Sequence, residues 1–277
     1  MIRTGILSDK NSGDEPAQLI ALFKELKITA VSFDAENAFG KANSATEEIV
    51  HSSDILYVDL PGFSAEQLKL AIRNSTHLFC RRIPSLTMEE THDLINLENE
   101  AGCVVQIFHP HLFLPENLVL FRNLQRPLLV NIRLMGPRTG LEHQLRDMLL
   151  ILALLDKSSI KKLDVNTLEG ENDSYVLDIR LAYSSGSIAR LILSTHFQED
   201  QSVLEVFQIN NPILQLPLTP LSTSRQMLSL QRAVGEFLKA VKMQPAVVIS
   251  LNEFFQAQQI MQRINEKLRY LGSQLLE

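Results

Sequence analysis

Short apolar runs alternate with amphipathic segments through the first 110 residues of the chain. Continuous apolar runs are typical of strands buried on both faces, whereas apolar residues spaced three and four apart are typical of helices. Strands are predicted at residues 2–7, 28–33, 55–58, 78–80 and 104–108. Helices between consecutive strands predict a parallel sheet covered on both sides, a Rossmann-like doubly wound domain over residues 1–120.

Several residues mark where the predicted helices begin. Pro16 lies near the first turn of the first helix. The apolar face of that helix is formed by Leu19, Leu22, Phe23 and Leu26. Ser64 with Gln67, and Thr87 with Glu90, have the spacing of a capping box, in which two side chains satisfy the free amides of the first turn. These pairs predict helix starts at residues 64 and 87.

After about residue 125 strands follow one another with few helices between them. Further strands are predicted at 128–134, 160–165, 175–183, 187–194 and 203–209, and helices at 141–155, 228–243 and from 250 onward. Ser184-Ser185-Gly186 predicts a hairpin turn. Pro212, Pro217 and Pro220 predict a loop before the helical tail. We therefore expect a C-terminal α+β domain over 121–277 with a mostly antiparallel sheet, whose last helices could pack back on the first domain.

Composition narrows the class of protein. Of the 277 residues 45% are hydrophobic and 21% charged, the balance of a globular protein, and the net charge of −6 argues against a nucleic-acid partner. No run of about 18 apolar residues predicts a membrane span. The start of the chain lacks the pattern of a signal peptide, and Cys80 and Cys103 fall in apolar runs. We expect a cytoplasmic protein with two free thiols.

The turn after the first predicted strand is where dinucleotide-binding domains carry three glycines. These glycines allow a tight turn, close approach to the pyrophosphate and close helix packing. Here Ser8 stands at the first position, Lys10 at the second and Gly13 at the third. Lys10 could supply charge to a phosphate, whereas Asp9 opposes it. The weak fingerprint leaves open NAD, NADP or no cofactor.

Asp34 follows the second predicted strand, about 20 residues past that turn. A carboxylate at this distance could accept hydrogen bonds from the ribose of an adenosine. A solvated acid at the end of a strand is the alternative, and the spacing alone does not separate the two.

Three segments at strand ends resemble one known family. They are Val58-Asp59-Leu60-Pro61, Cys80-Arg81-Arg82-Ile83-Pro84 and His109-Pro110-His111-Leu112-Phe113-Leu114-Pro115. Together with the hairpin at 175–194 and the closing helices, they resemble the glucose–fructose oxidoreductase / inositol dehydrogenase / MocA family. The resemblance implies an NAD(P)-dependent oxidoreductase, with cofactor contacts at Pro61 and Arg81. It also implies a C-terminal sheet whose open face pairs subunits into a homodimer or tetramer.

The departures from the family pattern fall on positions that carry its chemistry. Arg81 and Arg82 stand where the family has Glu and Lys, and Leu112 replaces an arginine. Arginine is a poor proton donor near neutral pH, although it binds anions well. The family's catalytic histidine aligns with His143 or, in a register set by Asp147, with Gln144. Arg82 and His143 are therefore the catalytic candidates.

Other reactive side chains favour ordinary roles. His109 and His111 alternate along an extended segment, but no carboxylate or thiol has matching ligand spacing, so we predict no metal site. Cys80 precedes two arginines, which could lower the pKa of its thiol. Its apolar strand favours instead a buried, inert thiol.

These observations support three functional hypotheses. The first is an NAD(P)-binding oxidoreductase with degenerate cofactor and catalytic motifs. The second is a non-catalytic binding or regulatory module on the same scaffold, and the third is a structural subunit. Lys10, Arg81 and Arg82 favour an anionic small molecule as the ligand in either of the first two cases.

Overall fold

The computed structural model describes residues 1–9, 12, 14–32, 42–60, 63–136, 141–169, 175–195, 202–209 and 211–271. The chain divides into two compact units. Unit 1 is Met1–Phe113 with Met227–Phe255, and unit 2 is Leu114–Gln226 with Gln256–Glu277. Each unit therefore draws on two separate stretches of the chain.

The elements follow in this order: β1 (Ile2–Ser8), α1 (Glu15–Ala21), β2 (Leu26–Ser32), α2 (Ala42–Ser52), β3 (Ile55–Asp59), α3 (Ala65–Arg73), β4 (His77–Cys80), α4 (Met88–Ala101), β5 (Val105–Ile107), α5 (Pro115–Arg122), β6 (Leu128–Met135), α6 (Leu141–Leu155), β7 (Ile160–Glu169), β8 (Tyr175–Tyr183), β9 (Ile188–Ser194), β10 (Val203–Gln208), β11 (Asn211–Pro217), α7 (Thr223–Val241) and α8 (Leu251–Tyr270). None of the helices in the described ranges is long and apolar enough to cross a membrane.

The described strands of unit 1 form a parallel sheet in the order β2-β1-β3-β4-β5. This confirms the predicted doubly wound domain. Both capping boxes are present: the Ser64 hydroxyl accepts the Gln67 amide at 3.3 Å, and Thr87 and Glu90 make the same exchange.

Helices cover both faces of this sheet. Residues such as Leu56, Val58 and Leu78 pack in one cluster with buried side chains of α2, α3 and α4. On the other face Tyr57 stacks on Phe79 with ring centroids 5.4 Å apart, and Phe79 meets Phe237 of α7 edge-on at 5.7 Å. Since side chains alternate along a strand, Asp59 lies on the same face as Tyr57.

Of the residues predicted to form the apolar face of the first helix, only Leu19 lies in α1. Helix α1 ends at Ala21, and Leu22 is 58% exposed. Leu26 opens β2, where it is aligned with Ile2 of β1. Leu19, Leu22 and Leu26 have helical spacing, but a turn separates the helix that holds Leu19 from the strand that holds Leu26. Pairing of β2 with β1 outweighs the local helical periodicity.

Unit 2 carries a mixed sheet in the order β11-β10-β6-β9-β8-β7, in which the described strands are antiparallel except for the pair β6 and β9. The predicted α+β fold class with a mostly antiparallel sheet is confirmed. Strand β11 contradicts the loop predicted from Pro212 and Pro217. It lies at the edge of the sheet, where proline costs no hydrogen bond in the ladder.

Gly5 in β1 allows close approach of α2 to the sheet. A Cβ atom at this position would lie 2.6 Å from Ser53 Oγ and 2.7 Å from Ile49 Cγ2, closer than packed atoms tolerate. By contrast, the nearest neighbour of a Cβ at Gly235 in α7 would be a Phe23 carbon at 4.0 Å.

We expect Gly5→Ala to lower the free energy of unfolding by about 1–3 kcal/mol, because the new methyl overpacks the α2 interface. Gly235→Ala is the matched control and should be neutral or stabilising by up to about 1 kcal/mol, since alanine favours the helix interior. Urea denaturation followed by circular dichroism measures both changes. A Gly5→Ala protein as stable as the wild type would contradict the packing described here.

Candidate functional site

Polar residues gather at the carboxyl ends of β1, β3 and β4. The strand order reverses between β1 and β3, and open α/β sheets bind their ligands outside the carboxyl ends of the strands at such a point. The register aligns Ser8 with Asp59 and Val58 with Cys80, so Arg81 follows at the level of Asp59. The parallel sheet thereby brings together residues that are distant in sequence.

The carboxylate of Asp59 is the centre of this group, although the residue is only 1% exposed. Its Oδ2 accepts hydrogen bonds from Ser12 Oγ at 2.8 Å and from Arg81 Nη1 at 2.8 Å. Its Oδ1 accepts from Arg82 Nε at 2.9 Å. A buried acid needs such partners, because an unpaired charge away from water is costly.

Two outer carboxylates complete the group. Arg82 Nη2 donates to Asp9 Oδ2 at 2.8 Å, and Arg81 Nη2 donates to Glu15 Oε1 at 3.1 Å. Each guanidinium therefore bridges Asp59 and a second acid. The set that we call the Asp59 network consists of Asp9, Ser12, Glu15, Asp59, Arg81 and Arg82. Its three carboxylates and two guanidiniums leave one negative charge in excess.

The turn after β1 is also held by a carboxylate. Asp9 Oδ1 accepts the Ser12 amide at 2.9 Å and the Ser12 hydroxyl at 3.2 Å. In dinucleotide-binding domains the amides of this turn and of the following helix face the pyrophosphate. Ser8, predicted to contact a cofactor, is fully buried and donates its hydroxyl to the Asp9 carbonyl at 3.1 Å.

The arginines remain cations in this setting. Burial lowers the pKa of Arg81, but the acidic groups Tyr57, Asp59 and Glu15 outweigh it and leave the pKa above its usual value. Arg81 and Arg82 therefore act as fixed positive partners of carboxylates rather than as proton donors.

Four of the predicted cofactor residues, Lys10, Gly13, Asp34 and Pro61, lie outside the described residues. Their roles stay predictions. Asp59 and Glu15, by contrast, belong to the network without having been singled out from the sequence. A carboxylate that ends an otherwise apolar strand was the available signal for Asp59.

The catalytic candidates of α6 lie in unit 2. His143 is exposed, and Gln144 is half-buried with an Oε1 atom that has no hydrogen-bond partner among the described residues. Burial raises the pKa of Asp147 to about 6, and His143 partly opposes this shift. The choice between His143 and Gln144 as the counterpart of the family's histidine stays open.

His109 and His111 follow β5, and His109 is buried. Burial, assisted by His111, lowers the pKa of His109 to about 3, so its ring is neutral. The two ring centroids are 6.0 Å apart. Within the described part of the chain, no three or more His, Cys, Asp or Glu side chains are grouped to hold a metal ion.

Cys80 and Cys103 are both free and buried. Burial raises the pKa of each thiol to about 12, with a smaller contribution from Glu98. The alternative that neighbouring arginines lower the pKa of Cys80 is therefore wrong. The reason is strand alternation: Cys80 points into the cluster shared with α3 and α4, whereas the guanidiniums bind Asp59 on the opposite face.

Comparison with known proteins identifies the fold. No family model matches the chain. Among curated proteins, a 1,5-anhydro-D-fructose reductase of Ensifer adhaerens is 25% identical over 95 residues, which is 33% of this chain and 28% of the relative. The chain thus matches less than a third of that relative's length.

Solved structures match over nearly the whole chain. A dehydrogenase from Chromobacterium violaceum has a TM-score of 0.77 at 13% identity, covering 98% of this chain and 97% of its own. A myo-inositol dehydrogenase from Corynebacterium glutamicum has a TM-score of 0.75 at 12% identity, covering 99% and 98%. The chain has the fold of the glucose–fructose oxidoreductase / inositol dehydrogenase / MocA family. The predicted resemblance is confirmed, and the protein is oxidoreductase-like in fold.

In this family fold, we expect the two thiols to react slowly with DTNB at pH 8, because they are buried and un-ionised. Two equivalents should react rapidly once urea unfolds the protein. Absorbance at 412 nm measures both rates. Rapid reaction of one thiol in the folded protein would show that its pKa or its burial is not as described.

Proposed function

We propose that the chain is a non-catalytic relative of these dehydrogenases, a binding or regulatory module built on the oxidoreductase scaffold. The observation that supports this is the Asp59 network. A buried carboxylate and its two arginines occupy the switch point of the sheet, where a cofactor-dependent relative would need open donors.

The described residues do not fit the pyrophosphate of NAD or NADP. A pyrophosphate requires amide donors and cations that are free to face it. Here Arg81 and Arg82 already donate to Asp59 and to Glu15 and Asp9. The charges of the six network residues sum to −1, which disfavours a second anion among them. We therefore derive no hydride-transfer step for this chain.

The second difficulty for catalysis is the proton donor, which the resemblance implies is a lysine. Where the resemblance implies a lysine, Arg82 binds two carboxylates. A guanidinium does not release its proton near neutral pH, so Arg82 cannot serve as a general acid. His143 is the remaining candidate, and its imidazole is exposed on α6.

The second candidate function is an NAD(P)-dependent oxidoreductase with an unusual site. It is favoured by the dehydrogenases that share the fold over nearly the full chain. Lys10, Gly13, Asp34 and Pro61 would then contact the cofactor, and the Asp59 network would have to open on binding. The substrate would be a small molecule, and the arginines freed by this opening would favour an anion.

We also propose a homodimer or tetramer formed through the open face of the unit 2 sheet. Leu129 and Ile188 are aligned on β6 and β9 and are each about half exposed. The ion pair Arg133–Glu205 joins β6 to β10, and the ion pair Asp178–Arg190 joins β8 to β9. A mixed apolar and charged face of this kind suits a self-complementary contact.

The two free thiols support a reducing, cytoplasmic location.

Calorimetric titration of the purified protein distinguishes the first two functions. We expect no binding of NAD(H) or NADP(H) tighter than about 100 μM, because Arg81 and Arg82 already bind carboxylates at the switch point. Prior extraction and absorbance should establish that no cofactor copurifies. Tight binding of either dinucleotide would favour the second function.

Asp34→Ala would then test the ribose contact, which an unchanged affinity would exclude.

Sedimentation or light scattering tests the proposed oligomer. We expect the wild-type protein to be a dimer or tetramer and Ile188→Asp to be monomeric, because a buried carboxylate would face the apolar partner surface. Val119→Asp on α5 is the matched control and should keep the oligomeric state, since Val119 is 58% exposed and lies off the sheet. A monomeric wild-type protein would contradict the proposed interface.

A further inference from the structure

The donors around Asp59 are those of an anion site. We propose that Ser12, Arg81 and Arg82 form a binding site for a phosphate-type oxyanion, and that the Asp59 carboxylate occupies this site as an internal ligand. This inference rests on the proposed function, because it gives the reason why the Asp59 network would not bind an external phosphate.

The contacts converge on Asp59 from two parts of the chain. Ser12 comes from the turn after β1, and the arginines come from the end of β4. Hydroxyl and guanidinium donors at 2.8–2.9 Å address both carboxylate oxygens. Charge-assisted guanidinium donors also bind phosphate, because a phosphate, like a carboxylate, presents pairs of anionic oxygens to the guanidinium fork.

The internal ligand has a large advantage over an external one. Asp59 ends a strand that is paired on both sides, so it loses no translational freedom on meeting the arginines. An external anion would have to displace it and leave a carboxylate, 1% exposed, without its cations. The wild-type protein should therefore not bind phosphates at this site.

Removal of this carboxylate should open the site. Without Asp59, the two guanidiniums keep Asp9 and Glu15 as carboxylate partners among the described residues, and the charges of the network sum to zero. Glu15 is the more weakly held of these two acids, since its side chain is 36% exposed and its contact with Arg81 is 3.1 Å. An incoming pyrophosphate can compete for Arg81 with an exposed acid far more easily than with a buried one.

The experiment uses full-length Asp59→Ala and Asp59→Asn, with inorganic pyrophosphate as the probe at low ionic strength. We expect both variants to bind pyrophosphate at least tenfold more tightly than the wild type by calorimetry, with Asp59→Ala the stronger because it vacates the space. Adding Arg82→Gln to Asp59→Ala should abolish the gain. Glu89→Gln on α4 is the charge-matched control, since it removes an exposed carboxylate of unit 1 outside the network.

Circular dichroism establishes folding, and a variant that is partly unfolded should regain its signal when pyrophosphate is added. Several results would overturn the proposal: no gain in either folded variant, no rescue of an unfolded one, an equal gain in Glu89→Gln, or a gain that persists after Arg82→Gln. These results are independent of the dinucleotide titration. Wild-type binding of NADH would defeat the proposed function, whereas the pyrophosphate series tests the identity of the internal ligand.

Discussion

The Asp59 carboxylate determines how the charged side chains at the switch point of the unit 1 sheet are paired. A buried acid that stays ionised must have cationic partners, and it finds two in Arg81 and Arg82. Through them it is linked to the turn after β1 and to the first turn of α1. The carboxyl ends of three strands and the start of a helix are thereby tied together by charge, at the place where related folds leave room for a ligand.

The position of this acid follows from strand geometry. Ile55, Tyr57 and Asp59 alternate on one face of β3, and the register with β4 brings the two residues after Cys80 to the same level. One guanidinium alone would leave part of the carboxylate unsatisfied. Two guanidiniums and a serine hydroxyl donate to both oxygens, and each arginine donates through a second nitrogen to an outer acid. Among the described residues, both oxygens of the buried carboxylate are therefore satisfied by side chains of the protein itself.

Local signals explain what could be predicted from the sequence. Capping boxes at Ser64 and Thr87 act within one helical turn, and continuous apolar strands reflect burial on both faces, so both were found correctly. The sequence predicts a helix at Leu26 and a loop in place of β11. Both predictions are wrong because these strands depend on pairing with other strands. The same limit applies to the site. Arg81 was singled out as a candidate, but its pairing with Asp59 depends on a parallel register that no local pattern specifies.

Arg82 follows the end of β4, and its chemistry differs from that of the lysine that the family resemblance implies at this position. An ammonium is a compact charge that can give up its proton when buried, whereas a guanidinium keeps its proton and spreads five donors over a plane. Here that plane is used to bridge two carboxylates, a task for which lysine has poorer geometry. Arg82 is a poor proton donor but supplies the fork of donors that a buried carboxylate needs. A fold shared with dehydrogenases is thus compatible with a site whose charges serve the protein's own structure.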